Sequence, residues 1–425
     1  MKEIFKIIIS DFLEKEMPEI IEREIKVPLN SNKIISLIGA RRTGKTFLFY
    51  SAIKKLRKEN KNDQIIYINF EDDRLFPLEL KDFNLFIEAY YELFPKNRDQ
   101  TVYLFFDEIQ NIENWEKFIR RIDDSLKCKI FITGSSSKFL SKEIATSLRG
   151  RTISFEVFPF NFTEYLAFKG IDRNHYSSKN RSKIINALDD YVNHSSFPEL
   201  LSASDIEKPK ILKEYLDLII YKDLIERYNI SNLYLIKYLI KFLLTNTSNP
   251  ISITKIFNDL KSQGVKVSKN SLYQYIEYLE DAYILFPVKI FSNNVREIQR
   301  NPQKIYSLDS GLVDTVSIKN DIGRRFENII FLELRRKYKN ISYLKLKQEI
   351  DFCFKDSDKI YLLNSCYQIN ELTTRNRELN SLVEGMNHLN ISQSFLITNS
   401  HEEEITIEKK TIFIIPLWKW LLQNN

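Results

Sequence analysis

Five short runs rich in Ile, Phe, Val and Tyr, at residues 34–38, 65–69, 102–106, 129–133 and 153–157, recur through the first part of the chain. The run Val102-Tyr103-Leu104-Phe105-Phe106 has no polar interruption, which predicts a central parallel strand buried on both faces. Between the runs, residues 46–56, 78–93 and 115–122 repeat apolar positions every three or four residues, the period of an amphipathic helix. Ile4, Phe5, Ile8 and Phe12 carry the same period and predict a helix at the start of the chain, packed on the body. Strands that alternate with helices predict an α/β core with a parallel, doubly wound sheet. Further on, helical patterns are clearest at 184–192 and 211–228, where Asp223 and Arg227 share a helix face and pair at i, i+4. From residue 251 the pattern becomes a helix at 253–260, a turn at Gly264, Ser268 as a helix cap, a helix to Asp281, and an extended segment at 284–290. A strand at 305–311 ending in a turn, a helix opened by Gly323 that runs through Leu334, and a strand that begins at Glu349 follow.

The first run leads directly into Gly39-Ala40-Arg41-Arg42-Thr43-Gly44-Lys45-Thr46, and Phe47 and Leu48 begin a helix. This is G-x-x-x-x-G-K-T between a strand and a helix, the context in which the motif binds phosphate. Backbone N–H groups of such a loop and of the helix start form an anion nest. Lys45 would reach the β- and γ-phosphates, and the Thr46 hydroxyl would ligate Mg²⁺. The nucleotide-contacting stretch is Gly39, Ala40, Arg41, Arg42, Thr43, Gly44, Lys45, Thr46 and Phe47.

The third run ends in Asp107-Glu108. A carboxylate pair at the C-terminal edge of a buried strand suits a metal and an attacking water: Asp107 would hold the metal through water, and Glu108 would act as general base. The fourth run continues into Gly134-Ser135-Ser136-Ser137, which offers Thr133 and Ser135 as residues that orient the water beside the γ-phosphate. Ser135 and Ser136 also suit a helix cap. Arg149 and Arg151 flank Gly150, and that pair suits an arginine finger or a phosphate clamp as well as a basic surface turn.

Composition narrows the classes. Hydrophobic residues make up 43% and charged residues 28% of the 425 residues, the balance of a folded globular chain of two or three domains. Three cysteines exclude a disulfide scaffold, and four scattered histidines suggest no metal cluster. No apolar run is long enough to span a bilayer and no signal peptide is expected, so the sequence predicts a cytoplasmic protein without a membrane partner. The net charge of +6, from 63 basic and 57 acidic residues, permits contact with nucleic acid without demanding it.

Gly39 to Thr46, Phe106-Asp107-Glu108-Ile109-Gln110-Asn111 with Trp115-Glu116, Thr133-Gly134-Ser135-Ser136, and Leu148-Arg149-Gly150-Arg151 together resemble a large prokaryotic family of AAA+-type ATPases. Its members combine an ATPase half, a helical lid, a winged-helix segment and a restriction-endonuclease-like tail. The resemblance implies a P-loop AAA+ core over residues 1–170 (with an N-terminal helix in 1–30), a lid over 171–235, a winged-helix segment over 236–300 and a smaller α/β nuclease-like domain over 301–425. It implies an ATP-binding core with Arg149 and Arg151 in the finger region; together with the residue chemistry above, the expected cofactors are ATP and Mg²⁺, the metal ligands Thr46 and Asp107, and the catalytic residues Lys45, Glu108, Ser135, Arg149 and Arg151. One departure is His194-Ser195-Ser196-Phe197-Pro198-Glu199, where relatives carry a glycine pair before Phe-Pro-Glu.

In the winged-helix segment, Lys266 and Lys269 could hold phosphates, and Asn270, Ser271 and Gln274 could reach bases. The same helix exposes Glu277, Glu280 and Asp281 and no arginine, which is poor chemistry for a polyanion. The tail order resembles the PD-(D/E)xK nuclease fold, with Glu327 and Asp351 as two acidic ligands. The Glu-x-Lys position falls on Asn364-Ser365-Cys366, which lacks both the carboxylate and the ammonium, so a nuclease-inactive scaffold is expected. The function expected is Mg²⁺-dependent ATP hydrolysis that drives movement of the C-terminal modules. DNA, a protein client, and a second copy reached through Arg149 or Arg151 are the candidate partners. The alternative is a slow-turnover, ATP-controlled switch that docks a protein partner.

Overall fold

The five runs form five parallel strands, β1 (Ile34–Ile38), β2 (Ile65–Asn69), β3 (Val102–Asp107), β4 (Cys128–Gly134) and β5 (Thr152–Glu156). They hydrogen-bond in the order β2-β3-β4-β1-β5 in a computed structural model that describes residues 1–135, 148, 150–317 and 321–423. Every residue of β1 and β3 is buried, which suits their mostly apolar sequences and takes polar Ser36 and Asp107 inside as well. The register pairs Asn69 with Asp107, Phe106 with Ile132, and Ile38 with Gly134. The C-terminal ends of β1, β3 and β4 therefore lie side by side along one edge.

Among the described residues, four helices of the first unit are α1 (Lys2–Glu14), α2 (Lys45–Lys58), α3 (Phe83–Leu93) and α4 (Trp115–Ser125). Buried Phe5, Ile8, Ile9 and Phe12 on α1, and Trp115, Phe118, Ile119 and Ile122 on α4, are each spaced to fall on one helix face. Side chains alternate across each strand, so Phe106 joins one apolar cluster, with Phe86 and Trp115, while Phe105 joins another, with Phe49 and Ile53. Fully burying a side chain of this size contributes about 1.5–3 kcal/mol. The helical pattern at 78–93 splits, because Glu79 and Asp82 form a reciprocal capping box that closes one short turn before α3 begins.

The chain divides into two units, Met1–Phe158 and Pro159–Asn425. The second contains a nine-stranded mixed sheet made of β6 (Pro250–Ile251), β7 (Leu285–Ile290), β8 (Gln303–Ser307), β9 (Ile341–Lys345), β10 (Glu349–Asp356), β11 (Lys359–Cys366), β12 (Gln393–Thr398), β13 (Glu403–Ile407) and β14 (Lys410–Pro416). Its order is β13-β14-β12-β11-β10-β9-β7-β8-β6. Helices Leu233–Thr245, Ile253–Ser262 and Lys269–Asp281 precede β7, and Ser268 caps the last of them by accepting from Ser271 N. The strand read as the opening of the tail, β8, pairs antiparallel with both β6 and β7. β7 in turn pairs parallel with β9, so one sheet runs unbroken across residue 300. Ser196 donates through N and Oγ to buried Asp309 at 2.8 and 2.9 Å, and the second of these bonds is one that glycine could not make. Among the described residues no helix is long and apolar enough to cross a membrane.

Candidate nucleotide site

The loop between β1 and α2 depends on two glycines. Gly39 has φ +150°, and a Cβ there would lie 2.3 Å from the Val157 carbonyl oxygen, so no side chain fits. Gly44, at φ +95°, turns the chain left-handed into the first residue of α2. Thr43 is buried and donates to Ala40 O at 2.9 Å, which closes the loop on itself. Arg41 reaches outward to Glu71 at 3.0 Å. Arg42 adopts φ +66°, and Phe47 on the first turn of α2 is exposed, with its ring edge on Tyr50.

Lys45 is buried and donates to the carbonyls of Gly39 and Ala40 at 3.0 and 2.9 Å, with Glu108 Oε1 at 3.9 Å. Two of its three donors are used on the loop, which leaves one for a phosphate oxygen. Asp107, at the end of β3, is the centre of the site. Its Oδ2 accepts from Thr46 Oγ1 at 2.7 Å and from the Tyr67 hydroxyl at 2.9 Å, and its Oδ1 accepts from Thr133 Oγ1. Burial pushes the Asp107 carboxyl above its ordinary range, with the neighbouring Glu108 adding to the rise, while the three hydroxyl donors oppose it. Burial, and then the Asp107 charge, hold the Tyr67 phenol protonated. Glu108 takes a left-handed backbone at φ +51°, its N–H donates to Thr133 Oγ1 at 2.9 Å, and its carboxylate accepts from the Gln110 amide.

These residues suit Mg²⁺ and a nucleotide. Thr46 gives its proton to Asp107, so its oxygen lone pairs remain for a cation. Among the described residues no group of three or more His, Cys, Asp or Glu could hold a metal by itself. One hydroxyl and one carboxylate match an ion that keeps several waters and takes its remaining ligands from nucleotide phosphates.

The other sequence candidates divide. Ser135 is buried just beyond the end of β4, but Thr133, two residues earlier, is the one that bridges Asp107 and Glu108. Arg151 lies elsewhere: Ile34 N donates to its carbonyl at 2.9 Å, at the N-terminal edge of the sheet, whereas the P-loop leaves the C-terminal edge. A five-residue strand, at about 3.3 Å per residue, separates the two edges by roughly 16 Å. Its guanidinium instead pairs with Asp123 at 3.3 Å and with Asp124 on α4, so within one chain it does not join the Lys45–Asp107 cluster. Arg149 lies outside the described residues.

Three further participants carry little or no signal in the sequence. Tyr67 stands among the isoleucines of β2, and a polar-tipped ring there is the signal that an acceptor waits at its tip. Gln110 lies two residues after Glu108. Arg23 gave no signal; its buried guanidinium donates to Thr43 O at 2.8 Å and Phe158 O at 2.7 Å, tying the P-loop to the chain after β5.

In the second unit, the two acidic residues read as metal ligands surround a lysine. Lys304 Nζ on β8 lies 2.8 Å from Glu327 Oε1, 2.9 Å from Asp351 Oδ1 and 3.0 Å from Glu349 Oε1, and its side chain is 2% exposed. Burial works against the Lys304 charge, yet Asp351, Tyr306, Glu327 and Glu349 hold its pKa well above the ordinary value. Glu327 is pushed up to about 7 by burial first and by Asp351 second, against the pull of Lys304. Asn364 and Ser365 act as supports: Asn364 Oδ1 accepts from Asp351 N, and Ser365 donates through N and Oγ to Asp351 Oδ2.

Fold and motif agree with the family comparison: residues 31–166 match the model of an AAA domain, which makes the first unit a nucleotide-binding P-loop module of the AAA class. The chain belongs to the family of the uncharacterized protein MJ1544 of Methanocaldococcus jannaschii, to which it is 40% identical over 99% of its own length and 96% of that protein's. An uncharacterized protein of Haemophilus influenzae is 29% identical, over 92% of this chain and 94% of that one. Residues 185–322 match a domain of unknown function, DUF8612. Among solved structures, the Aeropyrum pernix ORC1 protein in complex with DNA aligns with 74% of this chain and 91% of its own, at 12% identity and a TM-score of 0.28. A likeness of that size says nothing of what this chain binds.

Proposed function

We propose that the chain binds ATP with Mg²⁺ at the loop Gly39–Thr46 and hydrolyses it, with Glu108 as general base. The observation that carries this reading is the convergence on Asp107: a hydroxyl from the helix after the P-loop and a hydroxyl from β4 meet on one carboxylate beside Glu108 and Lys45. Bound Mg²⁺ would neutralise charge on the phosphates and bring them into line with the attacking water. Lys45 would hold the phosphates, Thr46 and Asp107 would face the metal, and Glu108 would take a proton from the water. Thr133, fixed to both acidic residues, would keep the base and the metal carboxylate at constant separation. Arg151 could reach a nucleotide only in a second copy of the chain. The C-terminal unit would respond to the cycle as a module without cleavage chemistry of its own, because the ion pairs from Lys304 to Glu327, Glu349 and Asp351 already offset the negative charge that a metal would need.

A second reading is a nucleotide-controlled switch with slow turnover. One observation favours it: the Glu108 carboxylate is already engaged by the Gln110 amide and faces Lys45, so it must be released before it can act on water. Steady-state ATP hydrolysis, alone and with single- or double-stranded DNA, tests the two. Turnover abolished by Lys45→Ala and raised by DNA supports a DNA-acting ATPase; turnover indifferent to DNA points to a protein client. Tight ATP binding without turnover leaves the switch.

A further inference from the structure

Asp107 has two oxygens and three donors, and only two of those donors belong to the sequence motifs. Among the described residues Thr133 donates to Oδ1, whereas Oδ2 is shared by Thr46 at 2.7 Å and Tyr67 at 2.9 Å. Tyr67 comes from β2, the strand next to β3 and at the edge of the sheet. Its ring is held in place. It stacks on Phe12 of α1 with centroids 4.6 Å apart, lies 5.7 Å from the Tyr50 ring on α2, and is 8% exposed.

We propose that Tyr67 is a positioning residue for the metal-facing carboxylate: its hydroxyl fixes Asp107 Oδ2 so that the Thr46 oxygen stays available to Mg²⁺. The proposal rests on the ATPase reading above. The Asp Cβ–Cγ torsion is broad and two-fold, so a carboxylate is oriented by its hydrogen bonds rather than by its rotamer. Without Tyr67, the side-chain donor left on Oδ2 among the described residues is Thr46, the same hydroxyl that must also accept the cation. With Tyr67 the oxygen has a donor that takes no part in metal binding and comes from a packed aromatic layer. Strand β2 then acts on the metal site through Asp107 without touching nucleotide.

The bland alternative is that a buried phenol needs an acceptor and Asp107 happens to be near. The two differ in what they change. A structural role affects stability and nucleotide binding evenly, whereas a positioning role appears in the Mg²⁺ dependence alone. The experiment compares the full-length wild type with Tyr67→Phe, using a fluorescent ATP analogue titrated without Mg²⁺ and then with increasing Mg²⁺. Thermal denaturation without ligand runs alongside. Tyr90→Phe is the control, since that buried hydroxyl donates to Asp63 O at 2.8 Å and has no part in the site.

For Tyr67→Phe the half-saturating Mg²⁺ concentration rises about three- to tenfold, the range expected for one hydrogen bond to a charged acceptor. Mg²⁺-free affinity stays within about twofold of wild type, and Tyr90→Phe moves neither quantity. If the Phe variant loses its thermal transition, Tyr67→Leu, which also lacks the hydroxyl, must show the same rise. An unchanged Mg²⁺ dependence, or an equal loss of affinity with and without Mg²⁺, overturns the proposal and leaves the ATPase reading intact. A wild type whose nucleotide binding ignores Mg²⁺ and survives Lys45→Ala overturns the ATPase reading, and the proposal with it.

Discussion

Thr46 Oγ1 lies 2.7 Å from Asp107 Oδ2, joining two residues 61 positions apart in the chain. The bond exists because β1 and β3 end at the same edge of one parallel sheet, with only β4 between them. It sets a polarity on the site: the Thr46 proton points to the carboxylate, and its lone pairs point away. Each expectation for the site follows from that arrangement.

Glu108 should separate binding from turnover. Its carboxylate accepts from Gln110 and lies 3.9 Å from Lys45 Nζ. Glu108→Gln is expected to keep ATP affinity within a few-fold and lower the hydrolysis rate by about 10²–10⁴, the usual contribution of a general base. Filter binding with radiolabelled ATP and a phosphate-release assay measure the two. A variant that loses affinity and rate together would remove Glu108 from the role of base.

Thr133 and Ser135 should behave differently although they lie two residues apart. Thr133→Val keeps the shape and removes the hydroxyl that bridges Asp107 and Glu108 N, so turnover should fall at least about tenfold. Ser135→Ala should change the rate by no more than about threefold, the size of a small hydrogen-bond effect. Side-by-side kcat values decide, and a reversed order of the two variants would return the water-orienting role to Ser135.

Lys304→Met should destabilise the C-terminal unit. The three carboxylates would lose their shared cation, and breaking a buried ion pair from one side costs about 3–5 kcal/mol. The low end applies here, because the Glu349 side chain is 32% exposed. Hydrogen exchange should show protection falling in β8 and β10, and Glu327→Gln added to Lys304→Met should restore part of it. Undiminished protection in the single variant would mean that the cluster contributes nothing to stability.

The same cluster makes a pH prediction. Glu327 is held at about 7 in the folded chain, against an ordinary 4.5, so the folded state binds the proton more tightly than the unfolded one. Its contribution to stability is fully present below about 4.5 and is lost as pH rises through about 7. Urea denaturation between pH 5 and pH 8 should show stability declining over that window, and Glu327→Gln should flatten the decline. A slope identical in wild type and Glu327→Gln would overturn the assignment.

The strands of the first unit were legible because strands buried on both faces are mostly apolar, and the runs at 34–38 and 65–69 match β1 and β2 residue for residue. The P-loop was legible for a related reason: Gly39 packs against the Val157 carbonyl, and only glycine leaves room. Lys45, Thr46, Asp107 and Glu108 could be named because each follows a strand or opens a helix at a fixed offset. The turn before α3 was missed because a capping box acts locally, through Glu79 and Asp82, inside a pattern that otherwise reads as helix.

By itself, the sequence determined the α/β alternation, the parallel sheet and the identity of the phosphate loop, since these rest on local periodicity and on backbone conformations that one residue type permits. Only the tertiary structure decided which side chains meet. Tyr67 and Arg23 entered the site, and Arg151 was placed at the far edge of the sheet. Lys304 filled the carboxylate cluster from a strand read as merely the start of the tail. Such pairings depend on strand order and register, which bring together residues far apart in the chain. Periodicity carries no record of them.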